Sequence, residues 1–146
     1  MNPVNTTQRN VTRNQSTADF QRKSIFTFEN RFSEAIFKND SGAELVATAG
    51  ILVRRDTANP TKVIPVTALT LADTIGILAV EGEVTMAIAG EINCNYCIEG
   101  DIDGEFLVLP ATVTLNTVVG NKILKDILTD LDFVINNVVE GSKFDN

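Results

Sequence analysis

Residues 83–106, EVTMAIAGEINCNYCIEGDIDGEF, decide the fold class of this chain. Every even position from Val84 to Phe106 is apolar or glycine, and every odd position is polar, acidic or small. A period of two over this length is typical of β-strands that bury one face and leave the other in water. The stretch therefore predicts a β-rich domain.

One uninterrupted strand of this length would span roughly 80 Å at about 3.3 Å per residue. A compact domain of 146 residues has a radius of gyration of only about 15 Å, so the chain must fold back. We expect a break near Gly90 or Asn93–Asn95 and another at Asp103–Gly104. An odd number of loop residues, or a bulge, would keep the same parity through each break.

Shorter strands are predicted before this stretch. Asn39–Gly42 is a turn cluster, so Ala35–Lys38 and Ala43–Val46 on either side of it predict a hairpin. A short helix is the competing interpretation, because four apolar residues have helical spacing: Phe28, Phe32, Ala35 and Ile36.

A second hairpin is predicted around Asp56–Pro60, which separates Ala49–Arg54 from Lys62–Val66. Ile75–Val80 continues the series as a further strand. Strands that recur about every ten residues, with turns between them, favour a barrel or a sandwich over βαβ units.

One helix is predicted over Val119–Thr129, because its apolar residues fall at positions i, i+4, i+5, i+8 and i+9. A final strand is predicted over Asp132–Val139. The expected fold is therefore mainly β. It is a small barrel-like or sandwich-like domain over residues 24–146, with one short helix near the C-terminus and an extended N-terminal arm over residues 1–23.

The predicted arm differs from the rest of the chain in charge. Residues 1–23 carry four cations and one carboxylate, a net of +3, whereas residues 24–146 carry 8 cations and 18 carboxylates, a net of −10. The arm also has few large apolar residues, and their burial cannot repay the conformational entropy that the arm would lose on ordering. We therefore expect the arm to be disordered when free. It is either a solvated tail or processing remnant, or a segment that orders on a partner by strand addition. Nucleic acid fits poorly, since four cations are few and the acidic body repels phosphate.

The composition excludes most familiar active sites. The chain has no His, which removes Ser-His-Asp and Cys-His hydrolysis and the common zinc sites. Cys94 and Cys97 form a C-x-x-C, but they lie in a strand pattern and not at a helix N-terminus, where a redox pair needs its first thiol. We expect Cys94 in the core, the two sulfurs on opposite faces, and a reducing compartment.

Glu99, Asp101 and Asp103 place carboxylates on one face of the predicted strand. They resemble the start of a calcium loop, but the EF-hand pattern needs Asp where Glu99 stands and Glu where Pro110 stands. We interpret them as a solvated acidic face, with a hard cation or a basic partner as the alternatives. No phosphate-binding glycine motif occurs, and three glycines are assigned to turns or bulges: Gly76, Gly82 and Gly90. No catalytic residue, cofactor or metal is predicted.

Eight short segments, taken in their order and spacing, carry a family resemblance: Asp40–Glu44, Ala49–Val53, Lys62–Val66, Gly76–Ala79, Tyr96–Ile102, Leu115–Val119, Leu124–Leu128 and Lys143–Asn146. Over roughly residues 30–146 the chain resembles the head decoration proteins of tailed bacteriophages, of the lambda type or a related β-rich family.

The resemblance implies a structural virion protein and no enzyme. Such a protein docks on the outer surface of the capsid, commonly as a trimer, and reinforces the shell against genome pressure. Its partners would be the major capsid protein and further copies of itself, with no nucleic acid, membrane or cofactor. It would be made in the cytoplasm of the host bacterium and end on the outer capsid surface of the virion.

In lambda-type relatives an N-terminal arm becomes ordered on the capsid, which agrees with the arm inferred from composition. The arm of this chain is long and rich in Asn and Arg. Shell contacts are expected from seven of its residues: Val4, Thr6, Thr7, Arg9, Val11, Thr12 and Arg13. Contacts between copies are expected from five apolar residues of the body: Phe26, Phe28, Val66, Leu69 and Leu71.

Two other functions stay open. A head-fibre base or adhesion module would bind a host surface glycan or receptor, although one Tyr and no Trp disfavour stacking against sugars. A small metal-dependent enzyme would need a cluster of ligands that the sequence does not show.

Overall fold

The computed structural model describes residues 25–136. In chain order the strands are β1 (Phe26–Lys38), β2 (Leu45–Ala47), β3 (Leu52–Arg55), β4 (Lys62–Pro65), β5 (Gly76–Leu78), β6 (Val84–Met86), β7 (Glu91–Asp103), β8 (Val118–Val119), β9 (Lys122–Ile123) and β10 (Phe133–Asn136), and the helix is α1 (Leu124–Asp130). The structure is mainly β with one short helix near the C-terminus of the described range, which confirms the predicted fold class. The predicted arm lies outside the described residues.

Five of the strands close into a ring in the order β1-β4-β3-β5-β7 and back to β1. Phe37 of β1 shows how the ring closes, because it lies opposite Val63 of β4 in parallel pairing and opposite Ile92 of β7 in antiparallel pairing. Strand β10 adds to β7 in parallel outside the ring. Because the ring is closed, none of its five strands is unpaired along a whole edge.

The barrel interior receives one apolar side chain from each strand of the ring. These five side chains form one buried cluster and are at most 3% exposed: Phe37, Val53, Val63, Leu78 and Tyr96. Strands β2 and β6 pair with each other, and Ala47 and Met86 extend the same cluster. Burying a large apolar side chain stabilises a fold by about 1.5–3 kcal/mol, so this cluster is a main source of stability.

A second core covers the outer side of β3, β5 and β7. Leu52, Ile77 and Cys97 point outward from these strands and pack with side chains from the C-terminal part of the described chain. Those side chains come from α1 and β10, and they include Leu124, Leu128 and Phe133. The helix therefore seals this side of the barrel.

Strand β7 corrects the predicted breaks. The break near Gly90 and the end at Asp103 are confirmed, whereas Asn93–Asn95 lies inside one continuous strand. The strand is bulged instead: Gly100 has φ +123, and a Cβ there would lie 2.7 Å from Asn30 Cα. The pairing with β1 shifts register at this place. The bulge reverses the alternation, so that Cys97 and Ile102 both reach the outer core.

The prediction of which cysteine is the more buried was wrong. Cys97, expected on the wet side, is fully buried, and Cys94, expected in the core, is only partly buried beside the interior cluster. The reason is that the outer side of β7 is covered by the second core and not by water. The two sulfurs do belong to opposite sides of the strand, as predicted.

The first predicted hairpin was also wrong. Residues 26–38 form a strand, which excludes the competing helix, but β2 pairs with β6 and not with β1. Asn39 explains the connection, since its side-chain amide donates to the carbonyls of Ala43 at 2.7 Å and Ala87 at 2.9 Å. The turn that follows β1 is thereby fixed to the turn that follows β6.

The second hairpin, the strand after it, the helix and the final strand are all present, although some of their bounds differ from the prediction. Strands β3 and β4 form the hairpin predicted around Asp56–Pro60, and β5 lies within Ile75–Val80. The helix begins at Leu124 and not at Val119, because Val119 belongs to the small β8–β9 pair that turns at Gly120 with φ +68. The final strand is Phe133–Asn136, and the last three residues of the predicted strand lie outside the described range.

Candidate docking surface

Of the predicted contact residues, some are buried, some lie at the surface or partly buried, and the rest lie outside the described residues. Val66 and Leu71 are 6% and 2% exposed and belong to the outer core, so their assignment to contacts between copies was wrong. Leu69, between them, is 97% exposed. Phe28 is 61% exposed and Phe26 is partly buried, both at the beginning of β1. The seven predicted arm residues lie outside residues 25–136: Val4, Thr6, Thr7, Arg9, Val11, Thr12 and Arg13.

An open groove of 910 Å³ lies beside the beginning of β1. We call it the β1 groove and define it by four apolar and two acidic side chains among its lining: Phe26, Phe28, Phe32, Val80, Glu29 and Glu81. Phe26 and Phe32 meet edge to face with ring centroids 5.4 Å apart, and Phe32 is still 47% exposed. The β1 groove is therefore a largely apolar surface that the described part of the chain leaves open.

The irregular pairing of β1 creates this surface. The register between β1 and β7 shifts three times between Phe26 and Phe32, and Glu29 has φ +51. Asn30 holds the bulge in place, because its side-chain amide donates to the carbonyl of Asp101 at 2.9 Å. Bulges bend and twist a strand, so the ring closes through the second half of β1 while the first half presents its phenylalanines to solvent.

The described body is strongly anionic around the groove and elsewhere. Residues 25–136 carry 7 Lys and Arg against 16 Asp and Glu, a net of −9. Three of the cations form exposed or partly exposed ion pairs, with Arg31 on Glu99, Lys62 on Glu91 and Lys122 on Asp130. Such pairs add little to stability, but the net charge favours a cationic partner.

The acidic row predicted on one strand face is not a cluster in the structure. Glu99 pairs with Arg31 at 3.3 Å, whereas Asp103 is buried and its side chain accepts from the backbone N–H of Glu105 at 3.0 Å. Within residues 25–136, no three Cys, Asp or Glu side chains come together in a way that could hold a metal ion. No helix in the same range is long and apolar enough to cross a membrane.

The two thiols are held in their protonated forms. Burial raises the pKa of Cys94, and burial likewise raises the pKa of Cys97. The Cys97 thiol also donates to the carbonyl of Glu99 at 3.2 Å, and both cysteines are free. Because the thiolate is the nucleophile, neither residue is activated for covalent or redox chemistry.

The chain matches no protein-family model and no curated protein.

The sequence analysis assigned Phe26 and Phe28 to contacts between copies, and it assigned neither Phe32 nor Val80 to a surface, although both line the groove. The alternation of β1 alone does not show which phenylalanines face water, because the bulges near Glu29 set that. A signal was present in the density of aromatic residues, since Phe26, Phe28 and Phe32 occur within seven positions.

Proposed function

We propose that this protein is a structural virion protein that binds the outer surface of a bacteriophage capsid and stabilises the shell. The observation that carries the proposal is the separation of charge. Residues 25–136 form a closed anionic barrel of net −9, and residues 1–23, which precede it directly, carry a net of +3. A cationic leader on an anionic body suits binding to an acidic surface by the leader, while the net charge of the body opposes non-specific aggregation.

The interior of the barrel supports a binding role. Its side chains are tightly packed and apolar, so the space enclosed by the ring holds side chains in place of a ligand. Cys97 is buried and Cys94 partly buried, and burial raises the pKa of both thiols, which keeps them protonated at neutral pH. The chemical groups available for a partner are therefore those of the surface and of the N-terminal segment.

The family resemblance of residues 30–146 supports the same proposal, and it adds the trimer. A trimer needs an apolar contact that the isolated body leaves in water, and Leu69 is the most exposed large apolar side chain of the described residues at 97%. It lies in the loop between β4 and β5, where Thr67 and Thr70 fix the turn by a backbone N–H to hydroxyl bond of 2.8 Å. We assign contacts between copies to Leu69 and not to its buried neighbours.

Co-sedimentation with empty shells of the major capsid protein tests the proposal. The full chain should pellet with the shells, and the double variant Arg9→Glu with Arg13→Glu should bind at least tenfold more weakly, because roughly 1.5–3 kcal/mol is at stake in lost charge-assisted contacts. The matched control reverses two body cations, Lys122→Glu with Lys125→Glu, and should bind as the natural chain does. Equal binding of both double variants would show that the arm does not carry the interaction.

The β1 groove favours a second candidate, an adhesion module for a host glycan or receptor. Three phenylalanines around a groove of 910 Å³ offer faces for stacking against a sugar ring. Glycan-array binding that is lost in Phe32→Ala would support this function, whereas shell binding without glycan binding would support the first.

A further inference from the structure

The β1 groove lies where the N-terminal segment joins the body. Ile25, the first described residue, is buried, and its Cδ1 lies 3.3 Å from the position that a Cβ on Gly50 would occupy. Ala49, the neighbour of Gly50, lines the groove. The carbonyl of Ile25 accepts from the backbone N–H of Asp103 at 2.9 Å, so the point at which the segment leaves the body is fixed at the rim of the groove.

The sequence just before this point is complementary to the groove. Phe20 is the single aromatic residue among residues 1–24, and Arg22 and Lys23 follow it closely. The groove offers three phenylalanine rings and the exposed carboxylate of Glu29. Aromatic rings pair edge to face or offset, and cations beside a carboxylate add a weaker attraction.

From these observations we infer that the β1 groove is the docking site of this chain's own segment Asp19–Lys23, with the ring of Phe20 placed among Phe26, Phe28 and Phe32. Phe20 is five residues from Ile25, a reach of roughly 16 Å of extended chain. This is enough to return to the rim of the groove. The inference goes beyond shell binding and does not depend on it, since it concerns how the base of the arm is held.

The short connection is what favours the chain's own segment over that of a second copy. A short flexible linker gives an effective concentration in the millimolar range. If the free segment bound with a Kd of about 0.1 mM, tethering at about 1 mM would leave it undocked about one tenth of the time. A second copy that is free in solution at micromolar concentration would compete poorly.

Limited trypsin digestion of the full chain tests the inference, because cleavage sites lie both inside and outside the docked segment. Bonds after Arg22 and Lys23 should be cut about tenfold more slowly than those after Arg9 and Arg13, because the segment is undocked only about one tenth of the time. Phe20→Ala and Phe28→Ser should abolish this difference, and Val118→Ser, which changes an exposed apolar residue on β8, should not. The ratio should be independent of protein concentration.

Equal cleavage at all four sites would overturn the inference, and so would protection that survives Phe28→Ser. Protection that grows with protein concentration would assign the groove to a second copy and overturn the intramolecular docking. An NMR comparison covers the possibility that Phe28→Ser disturbs the fold. Gly82 lines the groove, so its amide resonance should shift in Phe20→Ala and stay in place in Val11→Ala. A Gly82 resonance unmoved by Phe20→Ala would contradict the docking. Loss of shell binding with protection retained would count against the capsid role alone.

Discussion

Strand β1 contributes phenylalanines both to the barrel interior and to the β1 groove, and these phenylalanines differ in their exposure. Phe37, near the end of β1, is fully buried between β4 and β7, whereas Phe28, near its beginning, is 61% exposed. The difference lies in the pairing, because the second half of β1 has a neighbour on both sides and the first half is bulged against β7. Closure of the ring buries the second half of β1 and stabilises the fold, whereas the bulged first half leaves an apolar groove open to solvent.

The largest expected effect is the loss of the interior phenylalanine. Phe37→Ala should lower the free energy of unfolding by about 3–5 kcal/mol, because the removed ring leaves a cavity in a closed cluster. Phe28→Ala is the matched control and should cost no more than about 1.5 kcal/mol, most of it from the loss of the docked segment. Urea denaturation followed by circular dichroism measures both. Similar losses in the two variants would mean that the groove side of β1 contributes to the core as much as the barrel interior.

Glycine positions sharpen the same contrast. A Cβ at Gly76 in the barrel wall would lie 2.5 Å from the carbonyl oxygen of Cys97 and 2.7 Å from the Tyr96 ring. Gly76→Ala should therefore lower the free energy of unfolding by about 1–3 kcal/mol through overpacking. Gly82, on the groove side, has φ +65 and no atom within 4 Å of such a Cβ. Gly82→Ala should cost about 1 kcal/mol from backbone strain alone, and a larger loss there than at Gly76 would contradict this reading.

The sequence predicted those parts of the fold that depend on local patterns. The β3–β4 hairpin follows from the turn residues of Asp56–Pro60, and β7 follows from its period of two. The pairing of β2 with β6 and of β1 with both β4 and β7 joins residues far apart in the chain, and no local signal specifies these partners.

The candidate site was predictable only in outline. Phe26 and Phe28 stand out as apolar residues near the arm, but the exposure of Phe32 depends on bulges that the sequence pattern does not show. Val66 and Leu71 were assigned to the surface with Leu69, although only a residue at the tip of that loop reaches water. The burial of Cys97 was missed because α1 and β10 cover a strand face that alternation marks as wet.

The alkylation rates of Cys94 and Cys97 compare the two sides of β7, and the expected effect is smaller than those above. Cys97 has no exposed surface, so iodoacetamide should alkylate it more slowly than Cys94 in the folded protein, and mass spectrometry resolves the two sites. Burial raises the pKa of both above 9.0, so the alkylation rates should still increase as pH rises beyond 9. In urea the two thiols should react alike.

The same pKa shifts set the sign of a stability change. Unfolded thiols lose their protons at about pH 9, while the folded ones keep them, so the unfolded state binds fewer protons above that pH. The free energy of unfolding should therefore be constant with respect to these groups below pH 9 and fall above it.

In the alkylation experiment, a folded protein in which Cys97 reacts as fast as Cys94 would contradict the placement of Cys97 in the outer core.

The smallest effect on stability is expected at the tip of the β4–β5 loop. Leu69→Ser should change the free energy of unfolding of the monomer by less than about 0.5 kcal/mol, because the side chain is 97% exposed. Its effect should appear in assembly, as a shift from trimer to monomer in light scattering after size exclusion. A trimer that persists in Leu69→Ser would place the contact between copies elsewhere.

Hydrogen–deuterium exchange of the full chain, alone and bound to empty shells, tests most directly the claim that the barrel supplies stability and the arm supplies binding. We predict that shell binding slows exchange at the amides of residues 4–13 and leaves the strands that surround Phe37 and Tyr96 unchanged. Slower exchange across those strands, with residues 4–13 unaffected, would contradict the account.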